Sequence, residues 1–436
     1  MSGKKWQVIV WAFLAAFFLL AVGLGRRSGD TVLEFGMFAG SNWGVANADS
    51  CVIIDKAIEK FEKAHPGVRI HYYSGIPKED YSEWLARKIL NGETPDVFMA
   101  LSNDFDKLVS LEALANLDAW MSQDPDFDGE AFFQTALASG RRNGQQYALP
   151  YETVPTLMFV NKTLLNQEGF GVPDSDWDWE QLLRICKRIT KDTDGDGRVD
   201  QFGVYNYGWA EAAYSNGGRL FDENGTQCYI HSEQVAQAVR YANELSDLNQ
   251  GQKVMQEDFD GGHVAFMPLS FAEYRTYKTY PYKIKKYSAF QWDCITFPAG
   301  PQGDNISQVD SLLIGISSHS HKKRLAWEFL KTLTYDEEIQ MEIFRHSQGV
   351  SALRAVTGSG RMEEILRRDM EASDRVIDRK LLSAVIENGM DMPRFARYGE
   401  ALALAEGEIL KIYEEEKNVD SSLKIVQRAI NHFLTQ

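Results

Sequence analysis

The sequence predicts an α/β protein of two lobes, each a doubly wound sheet flanked by helices, with a helical C-terminal part. Three observations carry this. Once an N-terminal apolar segment is set aside, about 400 residues remain, too many for a single core. Strand and helix patterns alternate from Val32 to Ala100. A long extended run from Tyr147, broken by Pro150 and Pro155, suits a crossing between lobes better than a central ladder position.

The elements follow in order. Residues 1–30 hold the apolar segment, Trp6 to Gly25, in which Gln7 is the only polar side chain. Such a run is long enough to cross a bilayer as a helix. It reads as an uncleaved anchor in preference to a cleavable signal, because small residues at a cut site are weakly represented. Lys4 and Lys5 are balanced by Arg26 and Arg27, so flanking charge does not set orientation. The expected location is the extracytoplasmic face of the membrane, or secretion if the segment is cut.

Val32 to Phe38 predicts a strand, followed by a loop of small and polar residues. Val52 to Ala64 has helical spacing, with Ile53, Ala57, Phe61 and Ala64 on one face. Pro66 and Gly67 stop it. Val68 to Ser74 predicts a second strand, Tyr81 to Leu90 a second helix, and Asp96 to Ala100 a third strand of parallel type. No glycine-rich phosphate loop follows any of them, which removes nucleotide binding.

Beyond the crossing run, helices are predicted over Trp179–Thr190, Ser232–Leu248 and Lys322–Leu333, the second capped by Ser232. Strands are predicted over Phe202–Tyr207, Val264–Pro268, Trp292–Phe297 and Leu312–Ile316. From Glu363 onward the pattern is nearly all helical. The expected lobes are residues 31–150 with 305–345, and 151–304 with 346–436.

The formal net charge of -16 disfavours nucleic acid, because no basic excess exists to release counterions. Cys51, Cys186, Cys228 and Cys294 lie far apart without a C-x-x-C and read as buried free thiols. The His residues have no metal-ligand spacing. Asp192, Asp194, Asp196 and Asp200, with Gly197 at the sixth position, match the first part of a calcium loop. The twelfth position is Gly203 instead of Glu. The expectation is a structural Ca²⁺ clamp or a solvated acidic turn, with no cofactor required.

Several segments, taken together and in order, carry a family resemblance: FEKAHPGVRI, TPDVF, GQQYALPYETVPTLMFVNKTLL, PDSDWDWEQLL, FDGGHVAFM, the stretch from FPAGPQG to KTLTYDEEIQ, and MPRFARYGEAL. The chain resembles the extracytoplasmic solute-binding proteins of ABC transporters, the carbohydrate-binding family typified by maltose-binding protein. The likeness runs through almost everything after residue 31. It implies a type II-like periplasmic-binding-protein fold, a sugar or oligosaccharide held between the lobes, delivery to ABC transporter permease subunits, no catalysis, and a monomer. The lipid-bearing cysteine of many members is absent, and Asp310 with Ser311 stands where many carry paired glycines.

The resemblance directs attention to residues at strand ends, where aromatic rings would cover sugar C–H faces and polar groups would take hydroxyls. These are Trp43, Asn103, Asp104, Tyr151, Glu152, Trp209, Phe271, Glu273, Tyr274, Asp310, Arg394 and Phe395. Two alternatives remain at this point: a ligand sensor coupled to a membrane kinase, and an extracellular carbohydrate-active enzyme using Glu152 and Asp310 as its carboxylate pair.

Overall fold

The structure, a computed structural model, describes residues 30–45, 47, 49–279, 290–368, 376–395 and 397–436. The apolar segment on which the anchor expectation rests lies outside them. Among the described residues no helix is long and apolar enough to cross a membrane.

The first lobe opens as predicted. Thr31–Gly36 (β1) pairs in parallel with Val68–Tyr73 (β2) and Val97–Ala100 (β3). The helices Ser50–Ala64 and Lys78–Leu90 connect them. The first helix buries Ile53, Ile54, Ala57 and Phe61, so its apolar stripe includes Ile54 in place of the expected Ala64. All four residues of β3 are buried, as a parallel strand covered on both faces requires.

Ala148–Asn161 (β6) is the crossing strand that the proline-punctuated run predicts. Its first half pairs antiparallel with Gln308–Ile316 (β10), from Ala148 opposite Gly315 to Pro155 opposite Val309. Its second half pairs with Val264–Ser270 (β8) and with Trp292–Ile295 (β9). The register shifts between Leu312 and Leu313, which leaves Tyr151 as the extra residue beside Pro150. A bulge there absorbs the amide hydrogen that proline lacks. Phe202–Val204 (β7) extends the sheet beside β8. It ends earlier than predicted because Asn206 adopts a left-handed φ of 58°. Among the described residues the order is β2-β1-β3-β10-β6-β8-β7.

Besides β6 and the return into β10, a third connection between the lobes is Met390–Asp391 (β11), parallel to Gln308–Val309 of β10. Val350, Leu353, Met362, Leu366, Leu382 and Ile386 belong to the larger core cluster, with β1, β3 and β10. The helix Arg379–Glu387 packs on the helix Gln134–Ala138 and on β6. The helices Gly360–Arg368 and Arg379–Glu387 thus join the cluster that holds β1, β3 and β10. A helical pattern alone does not say which sheet its apolar face covers.

The second core cluster gathers Trp177, Trp179, Phe266, Val239 and the C-terminal residues Phe395, Ile409, Val426 and Ile430. Side-chain alternation along β6 divides the two clusters: Leu157 and Phe159 enter the first, Met158 and Val160 the second. All four cysteines are free, three of them buried.

Candidate ligand-binding cleft

Between the lobes lies a chamber of about 380 Å³. Its first-lobe wall is built from segments that follow strands. Asn42 and Trp43 come from the loop after β1, Lys78 and Ser82 from the helix after β2, and Ser102 and Asn103 from the start of the helix Ser102–Ser110 after β3. Asp310 and Gln308 of β10 form its floor. Met392, Pro393 and Arg394 follow β11, and Tyr398 and Leu402 come from the helix Tyr398–Glu414.

Four predicted site residues line this chamber: Trp43, Asn103, Asp310 and Arg394. Asn103 and Asp310 are exposed to it. Lys78 brings a cation near Asp310; burial lowers its pKa, while the neighbouring charges of Glu79 and Asp310 oppose that. Its Nζ donates to the carbonyl of Asn42. Sequence reasoning missed Lys78, Ser82 and Gln308, for which helix starts and strand interiors give no separate signal. Tyr398 and Leu402 fall in MPRFARYGEAL, one of the segments that carry the family resemblance.

Glu152 sits beneath the chamber instead of in it. It is 4% exposed. Its Oε1 accepts from the Trp43 indole at 2.9 Å, and its Oε2 accepts from the Ser347 hydroxyl. Burial pushes its carboxyl up to about 7, against the Ser347 and Trp43 hydrogen bonds and the charge of Arg275. Tyr151 and Glu152 border only a small void of about 20 Å³ beside Asn42 and Ser50. The buried carboxylate thus finds its partner in the protein and orients Trp43.

Six expected contacts are placed elsewhere. Trp209, 8% exposed, begins the helix Trp209–Ser215 and joins the second core cluster. Phe271 and Tyr274 are buried in the first cluster, stacked on one another at 5.4 Å. Glu273 closes a capping box with Ser270, accepting from its N–H at 2.8 Å and its hydroxyl at 2.7 Å. Phe395 is buried against Phe221 and Tyr398. Asp104 accepts from the Ser82 hydroxyl in the first turn of its helix. A ring just after a strand looks the same in sequence whether it turns toward the cleft or the core.

Arg394 is spent on structure as well as lining. Its side chain is 7% exposed, with Nη2 on Asp391 Oδ1 at 2.7 Å and Nη1 on Ser102 Oγ at 2.8 Å. It thereby ties the third crossing to the first lobe.

Two lobes, their crossings and a chamber of mixed polar and apolar walls with one half-buried tryptophan describe a ligand clamp. Residues 52–339 match the family described as bacterial extracellular solute-binding protein. The chain belongs to that family. As a bacterial extracellular solute-binding protein it also superposes on solved relatives over nearly its whole length. A cyclic alpha-maltosyl-1,6-maltose binding protein from Arthrobacter globiformis matches at TM-score 0.75 and 16% identity, covering 93% of this chain and 99% of the other. The sugar-binding protein MalE from Xanthomonas citri matches at 0.74 and 14%, covering 93% and 98%. An ABC substrate-binding protein from Listeria monocytogenes, in complex with cycloalternan, matches at 0.66 and 20%, covering 93% and 99%. At these identities the superpositions speak for the fold.

The acidic turn has its own geometry. Carboxylate oxygens of Asp192, Asp194 and Asp200 come within 4.8 Å of one another. Gly195 and Gly197, at φ 83° and 88°, curl the loop and donate to Asp192. Asp196 lies outside that group and accepts from the Arg198 N–H at 2.8 Å.

Proposed function

We propose that this solute-binding protein takes a sugar or oligosaccharide in the interlobe chamber and delivers it to the permease of an ABC transporter, as a monomer and without catalysis. The observation that carries the reading is Trp43. A half-buried indole, fixed by Glu152, lines a chamber that also presents Asn103, Asp310, Lys78 and Gln308 among apolar neighbours such as Leu101 and Leu402. One apolar ring face beside several hydroxyl-seeking groups is the surface a pyranose needs. The carbohydrate ligands named for the relatives from Arthrobacter, Xanthomonas and Listeria agree with it.

Burial of Glu152 speaks against hydrolysis. A glycosidase needs two carboxyl groups facing the sugar across the cleft. Asp310 faces the chamber, but Glu152 is enclosed and already bonded to Trp43 and Ser347. The test is calorimetric titration with mono- and oligosaccharides, followed by analysis of the recovered sugar. Saturable binding with intact sugar supports the proposal. Absence of binding to any saccharide, or recovery of cleaved products, overturns it.

We also propose that Asp192, Asp194 and Asp200 hold a structural Ca²⁺. Carboxylate oxygens keep a second lone pair after accepting one hydrogen bond, so the existing N–H contacts leave them able to ligate.

A further inference from the structure

On the other side of the 392–394 segment lies a second chamber, of about 480 Å³. Met392, Pro393 and Arg394 line both chambers, so they stand side by side with one shared wall. The second is differently charged. Its first-lobe wall is a short hairpin, Arg141–Arg142 (β4) and Gln145–Gln146 (β5). Asn143 and Gly144, at φ 51° and 75°, form the tight turn that twisted strands favour. The hairpin carries two arginines toward the second lobe, which supplies Arg219 and Glu223.

The charges can be paired off. Arg142 Nη1 lies 2.7 Å from Asp106 Oδ1 and donates to the Glu223 carbonyl at 2.9 Å, a contact between the lobes. Arg394 is paired with Asp391. Arg141 uses only its Nε, on Gln146 Oε1 at 2.9 Å. Among the described residues no ion pair engages Arg141 or Arg219, and both are exposed, as is the remaining carboxylate on the wall, Glu223. The chamber thus holds an excess of guanidinium in a chain of net charge -16. The buried Arg394 adds an Nε without a hydrogen-bond partner. Burial raises the carboxyls of Asp106 and Asp391, and the charges of Arg142 and Arg394 oppose the shift.

We propose that this second chamber is an anion subsite, in which Arg141 and Arg219 grip from opposite lobes the acidic group of a saccharide. The guanidinium fork matches the paired oxygens of a carboxylate, sulfate or phosphate. Two forks on facing lobes also make the anion a bridge that favours closure. The inference rests on carbohydrate binding in the neighbouring chamber and narrows it to acidic sugars.

The test compares glucose with glucuronic acid, glucose 6-phosphate and glucose 6-sulfate, and with inorganic phosphate alone, by calorimetric titration of the full chain. At least one acidic sugar binds more tightly than glucose, its advantage shrinks between about 50 and 500 mM salt, and Arg219→Gln or Arg141→Gln lowers its affinity about tenfold or more. The best of the three acids identifies the group. Equal affinities for glucose and all three acids, unchanged in both variants, overturn the anion subsite while leaving sugar binding intact. Arginine-dependent binding of phosphate with no affinity for any sugar supports the anion site and overturns the carbohydrate reading. No binding of any probe overturns the anion subsite, and the oligosaccharide titration above then decides the carbohydrate reading. Circular dichroism of both variants keeps folding separate from affinity.

Discussion

The indole N–H of Trp43 donates to Glu152 Oε1 at 2.9 Å, joining the loop after β1 to the crossing strand. This bond fixes the ring in a chamber that mixes polar groups with Leu101, Met392, Pro393 and Leu402. On the proposed reading Trp43 is the direct contact and Glu152 its positioning residue. Trp43→Ala therefore removes stacking and weakens sugar binding by about 1–2 kcal/mol, near tenfold. Glu152→Ala frees the ring and weakens binding less. Calorimetric titration checks both, and unchanged affinity in Trp43→Ala would place the sugar elsewhere.

Glu152 also gives stability a pH dependence. Its folded pKa is about 7, against an ordinary value of 4.5. Between those values the folded protein keeps a proton that the unfolded chain has released. The benefit is complete below about pH 4.5 and is lost as pH rises through about 7, roughly 3 kcal/mol in all. Glu152→Gln accepts from Trp43 and donates to Ser347 without the buried charge. Its denaturation midpoint should vary less from pH 5 to 8 and exceed that of the parent at pH 8. Parallel pH profiles for the two proteins would refute this.

Trp209 and Phe395 are core residues, and their substitutions should behave as such. Trp209→Ala or Phe395→Ala removes a large ring from the second cluster and costs about 3–5 kcal/mol. Phe395 is packed tightly enough that a Cβ on Gly225 would lie 2.2 Å from its ring. Gly225, at φ 64°, also has a backbone that other residues resist. Gly225→Ala should lower the melting temperature in the same way. A variant of either ring that keeps its stability but loses sugar binding would return that ring to the cleft.

The legible parts of this molecule are those where local pattern determines position. The VFMA run reads as a doubly covered strand because all four side chains are apolar. Pro150 and Pro155 announce the crossing because proline resists a regular ladder. Trp43, Asn103 and Asp310 can be found because the loops and strand ends that carry them face the cleft. Three features needed the third dimension. Glu152 turns inward because a bulge at Tyr151 resets the strand's facing. The helices Gly360–Arg368 and Arg379–Glu387 pack into the cluster of β1, β3 and β10, which their apolar spacing alone does not say. Arg141 and Arg219 meet one chamber from two lobes, and their separation in sequence carries no sign of it.

Arg394 and Asp391 form a buried pair at the third crossing. Removing one partner leaves the other enclosed and uncompensated. Arg394→Ala should cost about 3–5 kcal/mol, whereas replacing both by apolar residues of similar size should cost much less. The single variant also loses the hydrogen bond to Ser102, which links the crossing to the first lobe. Denaturant melts of the single and double variants decide this. Equal losses in both would mean that the pair contributes nothing beyond its packing.

The acidic turn offers the last prediction. Asp192, Asp194 and Asp200 concentrate three carboxylates on a loop curled by two glycines. The backbone N–H groups of Gly197 and Gly195 hold Asp192 below its ordinary range, so it is ionised at neutral pH. An ion that binds only the folded loop stabilises by RT ln(1 + [L]/Kd), about 2.7 kcal/mol at a hundredfold excess over Kd. Millimolar Ca²⁺ should therefore raise the melting temperature, and excess chelator should reverse the gain. Asp194→Asn should abolish the response while leaving the calcium-free melt nearly unchanged, because its oxygen still accepts the Asp196 N–H. Mg²⁺ should substitute poorly, since three side chains on a flexible turn suit the looser Ca²⁺ shell. A melt indifferent to both Ca²⁺ and chelator would make the loop a solvated turn held by its own hydrogen bonds.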